Sequence, residues 1–156
     1  MKETVGNLKP MTMKFPFKII LLILCLGCQD RDETFIDPSL QGLVDSFVYE
    51  GAIRGKKINP TGFFIHFEEG LLQRTGGVGA TIFNNKKQDQ ILFDLEYFNQ
   101  YPDRLEWVFF HEGGHAWLGR DHAQQKLSVM NTTLQQDFDQ YGEPFNREYF
   151  LDELFK

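Results

Sequence analysis

Cysteine is almost missing from this 156-residue chain. The two that occur, Cys25 and Cys28, share one N-terminal apolar stretch. The rest of the chain therefore has neither a disulfide framework nor a thiolate metal site. Positive charge is also scarce: 16 Lys+Arg stand against 22 Asp+Glu, for a formal net charge of -6. That balance argues against nucleic acid as a partner, which needs a basic face to neutralise phosphates. Long hydrophobic runs are lacking too. The apolar run Ile19 to Leu26, at about 1.5 Å per helical residue, covers far less than the roughly 30 Å of a bilayer interior. Repeats and low-complexity tracts are absent, and the length leaves no room for two cores. What is present is a chain 42% hydrophobic and 15% aromatic, with 16 Phe. That is enough to build one core and excludes a disordered chain.

Residues 14–28 read KFPFKIILLILCLGC. Lys14 and Lys18 give a basic start, a short apolar core follows, and a small residue precedes the cut, which together make a secretory signal. Leu24-Cys25-Leu26-Gly27-Cys28 resembles the lipobox of bacterial lipoproteins, with Cys25 in place of the usual Leu. The resemblance implies removal of 1–27 as a signal peptide, lipidation of Cys28, and a membrane attachment through that lipid in the cell envelope, at the outer membrane. An ordinary secretion signal with an incidental Cys28 is the alternative. Met11 or Met13 is a better initiator than Met1, because Met1 to Pro10 is polar. Cleavage removes Lys2, Lys9, Lys14, Lys18 and Glu3, leaving 12 basic against 21 acidic side chains, a net of -9. Residues 28–37 then form an acidic tether, too polar to bury itself, expected as a flexible leash. Its acids resemble the export signal of surface lipoproteins in some Gram-negative bacteria, which implies a surface-exposed chain; a solvated linker would look the same.

Residues 38–156 are left as one domain. Asp37-Pro38-Ser39 offers a helix start, and Leu40, Leu43, Val44, Phe47 and Val48 recur at helical spacing until Gly51 and Gly55. Strands are expected at 62–67, 80–83 and 90–94, with a flexible loop at 75–79. Tyr101-Pro102-Asp103 opens a helix from about Arg104 to Leu118, ended by Gly119. Asn146 caps a last helix through Leu154, with Phe150, Leu151 and Leu154 on one face. The expected class is α+β: a short mixed sheet with an N-terminal helix, an active-site helix and a C-terminal helix.

His111-Glu112-Gly113-Gly114-His115 matches H-E-x-x-H on the central helix. Residues four apart lie one turn apart on one face, so two imidazoles can bind one zinc ion. Glu112 lies roughly 100° around the helix from His111, beside the metal, where it can polarise a water. Gly119 lets the chain turn back, and His122 can close a third coordination position. Catalytic zinc uses three protein ligands and an open site. Gly113 and Gly114 each cost roughly 1 kcal/mol relative to Ala within a helix, which points to another backbone packed closely there, with the turn at Met130 as the candidate.

With Leu127-Ser128-Val129-Met130-Asn131 after the third His, the set resembles the metzincin branch of the zincin metalloproteases. The pattern there is H-E-x-x-H-x-x-G-x-x-H followed by a Met-containing turn, and the likeness is to small bacterial lipoprotein members with a minimal catalytic domain. Gly119 and His122 each fall one residue later than in that pattern, and Asp121 takes the usual third-ligand position. Two solutions stay open: His122 binds because the Gly-to-His offset is kept, or Asp121 binds instead. Thr132 stands where some metzincins carry a Tyr. The resemblance implies a zincin-like fold and a zinc-dependent endopeptidase, active as a monomer on protein or peptide substrates. Glu112 would be its general base, Met130 would pack beneath the metal without coordinating, and residues 76–83 would supply an edge strand for substrate.

Other readings bear on the same residues. A structural zinc site would need a fourth protein ligand and no Glu112. Asp137, Asp139 or Glu143 could supply a distant acidic ligand. His66 reads as a packed strand residue. An aspartate of the tether could reach the cleft and keep the enzyme latent. A non-catalytic surface binding protein on the same scaffold remains the alternative function, and Glu112 is the residue it would not need.

Overall fold

A computed structural model of the chain describes residues 33–85, 87–124, 127–132 and 146–156. The signal segment 1–27 and residues 28–32 of the tether, Cys28 among them, lie outside the described residues, as do Asp137, Asp139 and Glu143.

In chain order the elements are β1 (Phe35–Ile36), α1 (Gln41–Ile53), β2 (Phe63–Glu68), α2 (Leu71–Thr75), β3 (Gly79–Ile82), β4 (Asp89–Asp94), α3 (Leu95–Gln100), α4 (Leu105–Leu118) and α5 (Arg147–Leu154), with a 3-10 turn at Pro102–Arg104 ahead of α4. The four strands form one mixed sheet in the order β1-β2-β4-β3. β1 runs parallel to β2 and β2 to β4, while β3 runs antiparallel to β4 with Gly79 opposite Phe93. This mixture of a four-stranded sheet and five helices is compatible with the expected α+β class.

Ile91, Leu92 and Phe93 are all buried, as suits β4, an interior strand. α4 buries Trp107 to Phe110 and Glu112 to Gly114, so its first half reads as the continuous apolar run Trp107-Val108-Phe109-Phe110 rather than as one stripe. The core is aromatic. The Phe47 ring on α1 lies 5.1 Å from Phe110, 4.9 Å from Trp117 and 5.0 Å from Phe155. Phe93 stacks on Phe109 at 5.5 Å. Such ring pairs add about 0.5–1.5 kcal/mol each beyond their buried area. An ion network joins α1 to α5: Arg147 bonds Glu50, and Arg54 bonds Glu50 and Asp152.

Several boundaries differ from the sequence reading. Among the described residues four strands form rather than three, because Phe35–Ile36, inside the expected leash, add to the edge of β2 and Asp37 N–H bonds the Ile65 carbonyl at 2.8 Å. α1 runs through Gly51, which was expected to fray it. A Cβ there would sit 2.8 Å from Ile58 Cγ1, so this glycine serves close packing inside the helix. Helices α2 and α3 were not expected. Buried Asp94 links them: its Oδ1 accepts the Tyr97 N–H at 2.7 Å as the N-cap of α3, and its Oδ2 accepts the Leu72 N–H at 2.8 Å. Asn146 does cap α5, accepting the Tyr149 N–H at 3.2 Å.

Candidate metal centre

α4 carries His111 and His115 one turn apart, and the chain beyond it supplies the third ring. Gly119 has φ 61° and ψ 30°, the left-handed region that costs other residues roughly 1–2 kcal/mol. The chain thereby reverses, and the Arg120 N–H returns to the Gly114 carbonyl at 3.0 Å. His122 arrives beside the helix. One ligand atom from each of His111, His115 and His122 lies within 4.8 Å of the others, close enough to hold one metal ion. Asp121 is exposed and is not part of this cluster. His66 is elsewhere, on β2, with Nδ1 2.9 Å from the Phe67 carbonyl oxygen.

The two helix rings are held from behind. His111 Nδ1 lies 2.7 Å from the Val129 carbonyl oxygen, and His115 Nδ1 lies 2.6 Å from that of Arg120. A carbonyl only accepts, so each Nδ1 carries the proton and donates. That tautomer leaves both Nε2 atoms as bare acceptors, yet they face each other at 3.2 Å. Two acceptors make no hydrogen bond. Their separation suits a shared cation, since two nitrogens bound tetrahedrally at about 2.0–2.1 Å lie roughly 3.3 Å apart. Protonation does not relieve the pair readily either. Burial pushes the His111 pKa down to about 4, against the Val129 carbonyl, and burial also lowers that of His115.

Glu112 is buried on the adjoining face of α4. The Thr81 hydroxyl lies 2.8 Å from its Oε2 and 3.1 Å from its carbonyl oxygen. Burial pushes its pKa up to about 7, and the Thr81 bonds hold it back. β3 lies flat on α4 here: a Cβ on Gly79 would sit 2.8 Å from Glu112 Oε1 and 2.7 Å from Val108 Cγ1. Met130 is fully buried, and a Cβ on Gly114 would collide with its Sδ. A Cβ on Gly113 would come within 2.6 Å of the Phe47 ring. The close approach expected at this glycine pair is therefore made by side chains, one of them that of Met130.

A cavity of about 480 Å³ opens beside the cluster, with Leu72, Val78, Trp107 and Val108 on its apolar wall and His111, Glu112 and His122 on its polar one. Sequence reasoning missed four residues that shape the centre: Thr81, Arg120, Ser128 and Glu153. The side-chain partner of each is remote in the chain, so no local spacing marks it. No protein-family model, curated protein or solved structure matches the chain.

Proposed function

We propose that this protein is a zinc-dependent endopeptidase with a metzincin-like site, held in the cell envelope by a lipid on Cys28. The observation that carries the reading is the pair of Nε2 atoms facing each other at 3.2 Å, with His122 alongside and a buried carboxyl next to them. Three imidazoles form a donor set that suits zinc. His111, His115 and His122 would hold the ion, which when bound supplies Lewis-acid polarisation of water and of the substrate carbonyl.

The chain's own residues account for the rest. Thr81 occupies Glu112 Oε2, so Oε1 is the oxygen left to take the proton of the attacking water. Glu112 later passes that proton to the leaving amine. In the metal-free chain burial raises the Glu112 pKa to about 7, a shift that favours taking up a proton. Among the described residues β3 pairs only with β4. Its outer edge is open to an extended peptide, which would add as a further strand. The apolar wall of the adjoining cavity would accept a hydrophobic side chain next to the cleaved bond. Among the described residues no helix is long and apolar enough to cross a membrane, and the lipid supplies the attachment in this reading.

The test is metal content per chain together with cleavage of casein, gelatin and a peptide library, with and without chelator. Wild type should bind one zinc and cleave, and chelation should stop it. Equal cleavage by Glu112→Ala would remove the mechanism. One bound metal with no turnover on any peptide would favour the binding-protein alternative.

A further inference from the structure

Behind the histidines, one carboxylate ties together the two segments that orient them. The Arg120 carbonyl holds His115, and the Val129 carbonyl holds His111. These carbonyls lie in separate stretches, the reversal after α4 and the turn at Met130. Glu153, near the end of α5, bonds both. The Arg120 guanidinium donates to Glu153 Oε1 at 2.9 Å, and the Ser128 hydroxyl donates to Oε2 at 3.0 Å. Ser128 is fully buried, and its oxygen in turn accepts the Met130 N–H at 3.1 Å. The same guanidinium also donates to the backbone carbonyls of Glu153 at 3.1 Å and Leu154 at 2.8 Å. A last link closes the loop, since the Ala123 N–H bonds the Met130 carbonyl at 2.8 Å.

We infer that Glu153 is a positioning residue for the metal ligands, fixing through Arg120 and Ser128 the two carbonyls that set the tautomer and direction of His115 and His111. The inference rests on the metal-binding reading above and extends it to a helix outside the motif. Its physical basis is twofold. Bonds to an ionised carboxylate are about twice as strong as neutral ones. Partners behind a ligating histidine typically govern about 10–100-fold of metal affinity. Among the described residues, loss of Glu153 takes away the acceptor that the buried Ser128 hydroxyl bonds and leaves Arg120 with its carbonyl contacts.

The experiment measures zinc affinity of the full chain by competition with a chromophoric chelator, and records the visible spectrum of the cobalt-substituted protein, which reports ligand geometry. Glu153→Ala should lose about 10–100-fold in affinity and shift the cobalt bands. Glu153→Gln keeps the volume and one acceptor oxygen, so it should fold and show an intermediate loss. Asp152→Ala is the control: it removes the ion pair to Arg54 on another face of α5 and should leave affinity and spectrum as in wild type. Wild-type affinity in both Glu153 variants would overturn the inference, as would equal losses in Asp152→Ala. A wild-type chain that takes up no metal overturns the proposed function and this inference together, whereas a metal-binding wild type with unaffected Glu153 variants overturns this inference alone.

Discussion

Two neighbouring residues on α4 are displaced in opposite directions by the same cause. Burial holds His111 down near 4 and Glu112 up near 7. Each displacement is worth on the order of 3 kcal/mol at its limit. In the metal-free protein, His111 contributes stability that is present above its ordinary value of 6.5 and is lost as pH falls towards 4. Glu112 works the other way: its contribution is present below 4.5 and is lost as pH rises towards 7. Between pH 4.5 and 6.5 the two oppose, so they flatten the stability profile. Glu112→Gln leaves the histidine side alone. Urea unfolding in chelator should then show stability climbing with pH from about 4 to 6.5, by on the order of 3 kcal/mol. A Glu112→Gln profile identical to wild type would show that these groups are not buried as described. With metal restored, the same variant should bind the ion and lose about 100-fold or more of cleavage. At this scale the sequence was legible where geometry is local. His111, Glu112 and His115 follow from helical spacing, and the preserved Gly119-to-His122 offset pointed to the third ring. Thr81 and Glu153 were invisible, because what each does depends on a partner 31 or more than 20 residues away.

Between elements, the centre depends on how closely β3 and the Met130 turn approach α4. Gly114→Ala would drive a methyl into the Met130 sulfur. Overpacking of this kind costs about 1–3 kcal/mol; a thermal melt unchanged by the substitution would mean that the turn is free to move. Gly119→Ala should cost about 1–2 kcal/mol and also weaken zinc binding, since the reversal it permits delivers both the Arg120 carbonyl and His122. Chelator competition on that variant checks the second part. Periodicity located α1 and, with the Asn146 cap, α5, because each buries a helical set of apolar residues, whereas α4 was placed by its start at Pro102 and its stop at Gly119. It stopped α1 too early because Gly51 looks like a terminator until Ile58 is seen against it. It missed β1 because two residues carry no alternation. The short helices α2 and α3 escaped because their shared anchor, Asp94, resembles an ordinary strand-end acid.

For the molecule as a whole, stability comes from an aromatic core and would be raised by the ion. Phe47→Ala, which empties the centre of a cluster of three rings, should cost about 3–5 kcal/mol. Denaturant titration measures it. Free zinc at a thousandfold its dissociation constant should add about 4 kcal/mol. Melting in excess zinc should therefore lie roughly 10 °C or more above melting in chelator, and coincident curves would argue against a tight site. The tie from α5 has a temporal side. Arg120 and Glu153 are 33 positions apart, and chains grow at about 5–20 residues per second. A growing polypeptide thus carries its imidazoles for a second or more before the carboxylate that steadies them exists. The three rings are in the chain well before the contact from α5 that links the Arg120 and Ser128 segments can form.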